Sequence, residues 1–299
     1  MLKPARVPAL LILALSPGFI QSQGQGPPFL WEISGTKTSY LFGTVHLPDQ
    51  RVANLPASVN RAFEVSEAVF TEIPLDTSSL MAQVSQLMLP GPRTLHEILP
   101  PDLLQRTEKA LQQINSALTI EPFVRFKVWA IASMVPVLEM QLQNPGVLPM
   151  DAHLYQQAQE QGKKVGSLET IEEQVGILDS LSEQQQVTML RDTLDFLEEY
   201  RAKGIDMTDQ LIDWYLRGDL SEFGELMVGY VGEDAFYEEF LDKVLYQRNY
   251  LMADRIEALL TENPNRSHFI AVGAGHYWGE TGVQNLLIAK GLEIRRVSH

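Results

Sequence analysis

His268-Phe269-Ile270-Ala271-Val272-Gly273-Ala274-Gly275-His276, close to the end of the 299-residue chain, decides how the rest is read. The run up to Val272 is apolar and short, with small residues after it, which is the pattern of a strand buried on both faces. Glycine lets the backbone turn tightly and approach another group closely. The histidine that follows is then held at a strand's carboxyl end, where open α/β sheets keep their ligand sites. The same arrangement occurs near the start, where Tyr40-Leu41-Phe42 leads into Gly43-Thr44-Val45-His46. About 230 residues separate the two G-x-x-H histidines, so they meet only if one fold brings both strand ends together. Imidazole is the commonest protein metal ligand and a frequent acid or base.

Residues 29–33 and 39–42 are β-type runs joined by a hairpin loop at Gly35-Thr36-Lys37. Pro56 opens a helix with Val59, Ala62 and Phe63 at helical spacing, and 68–73 is a strand closed by Pro74. The middle reads as helical: one helix after Pro100-Pro101, an almost wholly apolar one over 123–142 that Pro136 kinks or splits, and one over 151–161. Residues 164–169 read as a strand, and Thr170-Ile171-Glu172-Glu173 and Ser182-Glu183-Gln184-Gln185 as helix starts of the capping-box kind. Helices are expected at 206–216, 220–227, 236–246, 249–260 and 282–289, with strands at 267–272 and 294–297. Strands at both ends with helices between them predict an α/β fold: a central mixed β-sheet flanked by helices, with a largely helical insertion. The expected organisation is one domain over 27–299, the insertion at about 77–150 and a second helical layer at 182–262.

Lys3 and Arg6 followed by the broken apolar run 7–20 read as an export signal over residues 1–22, which implies a periplasmic or secreted protein. The alternative is an uncleaved N-terminal anchor, and no other stretch is long enough to cross a membrane. The formal net charge is −15 and is spread along the chain, which argues against nucleic acid and against anionic membrane surfaces. There is no cysteine, so thiolate zinc sites, disulfides and cysteine nucleophiles are excluded. No G-x-S-x-G elbow supports a serine hydrolase.

Four expected strand ends each carry a proton-transfer or ligand group: His46, Glu72, Glu169 and His276. Two imidazoles and two carboxylates, without sulfur, suit a divalent ion such as Zn, Mn or Co. Such an ion acidifies its water, and a second carboxylate takes up the proton, which is the chemistry of amide or ester hydrolysis. Without metal the same four groups perform acid–base work. Each also has an ordinary reading: a histidine bonded to a loop carbonyl, a solvated strand end at Glu72, or a charge on a helix N-terminus at Glu169. Arg248 is a candidate clamp for a carboxylate of the site or of a substrate. His96, His153, His268 and His299 read as structural or solvated.

Taken in order, several motifs resemble the TraB/GumN family of the Tiki-like superfamily. They are Leu30-Trp31-Glu32-Ile33, Tyr40 through His46, Glu72, Met150-Asp151-Ala152-His153-Leu154, Gly162-Lys163, Leu168-Glu169-Thr170 with Glu173-Gln174, Arg248-Asn249, and Val272 through His276 with Gly279, Gly282, Leu286-Leu287 and Gly291. Met150 departs from the pattern, which favours a small residue there. The resemblance implies an active site built from both G-x-x-H histidines and the strand-end glutamates. Carried over residue by residue, it gives His46, His276, Glu72 and Glu169 as metal ligands, and Glu72, Glu169, Arg248 and Asn249 as catalytic groups. Animal Tiki members are metal-dependent proteases using Mn or Co on secreted peptides, and wider relatives handle haem or iron, or hydrolyse esters. The function expected is a metal-dependent peptidase acting on a peptide or small molecule. The alternative is a haem- or metal-binding or envelope interaction protein without turnover, suggested by the apolar 123–142 segment.

Overall fold

The computed structural model describes residues 27–221 and 235–298. The expected signal segment 1–22, most of the helix expected over 220–227, and His299 lie outside the described residues. A six-stranded mixed sheet has the order β4-β3-β5-β2-β1-β6, with β1 at Leu30–Ile33, β2 at Ser39–Thr44, β3 at Ala68–Thr71, β4 at Lys164–Ser167, β5 at His268–Gly273 and β6 at Ile294–Arg296. The α/β expectation therefore holds. β5 is buried at every position and sits inside the sheet, as its unbroken apolar run requires.

β2, β3, β4 and β5 are mutually parallel through the pairings β2·β5, β5·β3 and β3·β4. β1 returns antiparallel on β2, with Leu30 opposite Phe42 and Ile33 opposite Ser39, and β6 pairs antiparallel with β1. Parallel neighbours need long crossovers. The Ala57–Val65 helix carries the chain from β2 to β3. Helices between residues 77 and 160 link β3 to β4, and helices between 171 and 262 link β4 to β5. The carboxyl ends of β2, β3, β4 and β5 thus open on one edge of the sheet.

Two expectations change in detail. The Val128–Gln143 helix is continuous through Pro136. Trp129, Ile131, Ala132, Val135 and Met140 bury their side chains, and this packing outweighs the hydrogen bond that proline removes. The apolar character of that helix is therefore spent on the core. The helices expected over 236–246 and 249–260 are one run: Ala235–Leu241, a π-turn at Asp242–Tyr246, and Gln247–Glu262. Both capping boxes are formed, Thr170 with Glu173 and Ser182 with Gln185.

At the site end, Gly43 is pressed against its neighbours. A Cβ there would lie 2.6 Å from Phe29 Cβ and 3.2 Å from Ala274 Cα. Gly43→Ala is expected to destabilise the protein by ~1–3 kcal/mol, read from urea unfolding. At the opposite end of β5, His268 is wholly buried between Ser39 and the Phe70 ring, and burial pushes its pKa down. Its folded pKa lies below its unfolded value, so its contribution to stability is present above about pH 6.5 and is lost as the pH falls below that. His268→Leu is expected to flatten the acid limb of the stability profile by up to about 1.4 kcal/mol per pH unit, measured by unfolding between pH 7 and pH 5.

Candidate functional site

The β3–β4 ladder continues one step past the strands. Leu168 N–H donates to Thr71 O at 2.9 Å, and Glu169 N–H donates to Glu72 O at 2.7 Å. This pairing sets two glutamates side by side in the interior, with 8% exposure at Glu72 and 2% at Glu169. Two buried carboxylates at that spacing resist ionising together unless a cation joins them.

Arg248 is that cation. Its Nη2 donates to Glu72 Oε2 at 2.6 Å and to Glu169 Oε2 at 2.6 Å, and its Nε donates to Glu169 Oε1 at 3.0 Å. Its Nη1 donates to the Val244 carbonyl at 3.0 Å. Val244 lies in the π-turn, where the Gln247 N–H reaches back five residues to Asp242 O. Such turns recur at functional sites; here it immediately precedes the arginine. Glu72 also accepts from Gln174 Nε2 at 3.2 Å and from the Gly273 N–H at 2.7 Å. Burial alone would raise the Glu72 pKa, but Arg248, with His276 and His46, holds it well below the usual carboxylate range. Burial pushes the Glu169 pKa up against the pull of Arg248.

The two histidines are wired alike. His46 Nδ1 lies 2.9 Å from Asp151 Oδ1, and since a carboxylate only accepts, Nδ1 carries the proton. His276 Nδ1 lies 2.5 Å from Asn249 Oδ1. The Asn249 amide is oriented by its Nδ2, which donates to Thr281 O at 2.9 Å, so Oδ1 faces the ring and accepts from Nδ1. In each ring Nδ1 is thereby committed and Nε2 is turned away from that partner, the wiring that outer-shell partners give to metal-binding histidines. Their surroundings differ. The His46 side chain is 44% exposed at the rim, and Asp151 pushes its pKa up to about 9. His276 is buried, and desolvation, with Arg248 behind it, pushes its pKa down to about 3.

Gly273 leaves room where these groups converge. A Cβ at this position would lie 3.0 Å from Glu72 Oε1, 3.8 Å from His46 Nε2 and 3.7 Å from His276 Cδ2. His276 Nε2 stands 3.8 Å from Glu72 Oε1, a separation that two ligands with bonds of about 2 Å can share. A cavity of about 200 Å³ adjoins them, lined by His46, Glu72, Asp151, Thr44, Gln174 and residues of the β3 exit. Among the described residues no three His, Asp or Glu side chains already form a metal-holding group. In kind and direction the donors of His46, His276 and Glu72 fit a divalent ion. Glu169 does not, because Arg248 takes both of its oxygens.

The sheet edge therefore gathers His46, Glu72 and His276 around one point and places Glu169 behind them. Arg248 is engaged on Nε, Nη1 and Nη2, which leaves it to support Glu72 rather than to clamp a substrate. Asn249, expected among the catalytic groups, orients the His276 ring. His153 is exposed, and His96 lies 3.4 Å from Glu121. Sequence reasoning missed Asp151, whose partner is 105 residues away, and Gln174, which bonds Glu72 from 102 residues away. Only their places in the family motifs marked them. Met150, the departure from that pattern, is buried and receives the Tyr215 hydroxyl at 3.4 Å on its sulfur.

A mostly parallel sheet whose carboxyl edge presents two wired imidazoles beside an arginine-held glutamate defines a strand-end site rich in ligand and proton-transfer groups. The chain belongs to the TraB/PrgY/gumN family, whose model matches residues 29–296. Metalloprotease TIKI2 of Xenopus tropicalis is 30% identical over 319 residues, covering 93% of this chain and 61% of that protein. Metalloprotease TIKI1 of Danio rerio is 29% identical over 307 residues, covering 89% and 62%. The chain thus spans about six-tenths of the length of these relatives. The uncharacterized protein YbaP of Shigella flexneri is 25% identical over 258 residues, covering 85% of this chain and 89% of YbaP. No solved structure matches.

Arg248→Met leaves two buried carboxylates without their cation. The expected loss is about 3–5 kcal/mol of unfolding free energy in urea. Pairing it with Glu169→Gln is expected to recover part of that loss, because one buried charge goes with it.

Proposed function

We propose that the chain is a metal-dependent hydrolase that cleaves peptides, with His46, His276 and Glu72 holding a divalent ion. The observation that supports this most is the matched wiring of the rings: both Nδ1 atoms are tied down, and both Nε2 atoms stand at the space bordered by Glu72 Oε1. The TIKI relatives, named metalloproteases, support the same reading.

Each residue then has one task. Asp151 and Asn249 fix the tautomer and orientation of His46 and His276. Arg248 keeps Glu72 ionised and turns Glu72 Oε1 toward the rings, helped by the Gly273 N–H. Glu169 neutralises Arg248 from behind and anchors it. His276, neutral through burial, is ready to ligate, whereas His46 must give up a proton first, so uptake of the ion releases protons near neutral pH. When bound, the ion supplies Lewis acidity and an acidified water. Nitrogen and oxygen donors without sulfur suit Mn, Co or Zn.

The proposal includes action in the periplasm or outside the cell, supported by the basic start and apolar run of residues 1–22. Among the described residues no helix is long and apolar enough to cross a membrane. A haem-binding reading loses its motive, because the Val128–Gln143 helix is packed into the core.

The test is metal analysis of the purified protein and a peptide-cleavage screen with Mn, Co and Zn. His46→Ala and His276→Ala are expected to lose bound metal and to cut cleavage at least about 100-fold. Variants that hold metal and cleave as the parent does contradict the reading.

A further inference from the structure

Thr44 is the last residue of β2 and the second of Gly43-Thr44-Val45-His46. Its side chain is 1% exposed, and its Oγ1 is buried without a hydrogen-bond partner among the described residues. Of the buried polar side-chain atoms in that condition, it alone belongs to a residue lining the cavity of His46 and Glu72. Register sets its direction. Thr44 pairs with Gly273 across β2 and β5, and paired residues of neighbouring strands project to the same face. Its side chain therefore stands beside the space that Gly273 leaves open, bordered by Glu72 Oε1 and His46 Nε2.

The hydroxyl makes no hydrogen bond that would hold the fold among the described residues. Thr71, the neighbouring threonine of the cavity wall, satisfies its own Oγ1 on the Ile73 carbonyl at 2.7 Å. Thr44 has no such bond. A buried hydroxyl without a partner is costly, and valine would fill the same β-branched shape without that cost. A polar atom kept at a fold's expense in the wall of a candidate site marks a contact made during function.

We propose that Thr44 is a catalytic residue whose Oγ1 hydrogen-bonds the water added to the scissile bond, a role that rests on the hydrolase reading above. Thr44 exchanges no proton. It accepts one hydrogen bond from the water, whose oxygen bonds to the acyl carbon as the carbon–nitrogen bond breaks. The water's two protons finish on the leaving amine and on the new carboxyl group.

The experiment compares the parent, Thr44→Val, Thr44→Ser and His276→Ala in metal content, thermal unfolding and peptide cleavage with Mn, Co and Zn. It adds crystal structures of the parent and the Thr44 variants at a resolution that shows ordered water. Thr44→Val is expected to keep its metal and to unfold at the same or a higher temperature. Its kcat is expected to fall about a hundredfold, with KM little changed. Thr44→Ser is expected to retain most of the activity. A water within about 3.2 Å of Oγ1 is expected in the parent and in Thr44→Ser, and not at that position in Thr44→Val. Parental kcat in Thr44→Val, or equal losses in the valine and serine variants, overturns the proposal. If no protein in the set cleaves any peptide, the hydrolase reading fails, and the crystals alone judge Thr44. A water bridging Oγ1 to His46 or Glu72 upholds its water-holding role, and no water at Oγ1 overturns it.

Discussion

Two glutamates stand shoulder to shoulder under the sheet edge, and one guanidinium makes that arrangement tolerable. β3 and β4 are in parallel register, and their ladder runs on through Glu72 and Glu169, so backbone pairing alone forces the two carboxylates together. Arg248 answers with a forked contact to Glu169 and a single contact to Glu72. The asymmetry matters. Glu169 is consumed, whereas Glu72 keeps Oε1 on the side of the imidazoles. The buried ion triad is a poor source of net stability, because desolvation offsets most of its Coulomb gain. Its consequence is a carboxylate that is ionised, oriented and only partly used.

The imidazoles divide the remaining work by environment. Both have the same internal wiring, yet one is at the rim beside an aspartate and the other is sealed beside an asparagine. A charged partner favours the imidazolium, and a neutral partner in a desolvated place favours the neutral ring. The site therefore pairs a ring held neutral with a ring that favours the protonated form.

Much of this was legible from residue order. The unbroken apolar run 268–272 and the hairpin spacing around Gly35 gave the sheet's centre and its antiparallel margin, and small residues before His46 and His276 marked the strand exits. Charge and composition argued against nucleic acid. What the chain order could not show is how the groups divide once gathered. Glu169 and Glu72 look equivalent as strand-end acids, and only the arginine between them separates a spent carboxylate from a usable one. Asp151 carries no local signal, because its role comes from helix placement after Pro149 rather than from spacing. The π-turn before Arg248 reads as a break between two helices, since one extra residue shifts the helical phase and interrupts the hydrophobic periodicity.

In the proposed function, histidines from opposite ends of the chain hold one ion with Glu72 at the sheet's carboxyl edge, and anomalous diffraction from crystals grown with manganese locates that ion. The expected result is a single strong peak within about 2–2.5 Å of His46 Nε2, His276 Nε2 and a Glu72 carboxylate oxygen, with Arg248 still on Glu169. A peak elsewhere, or none beside those atoms in metal-saturated protein, contradicts it.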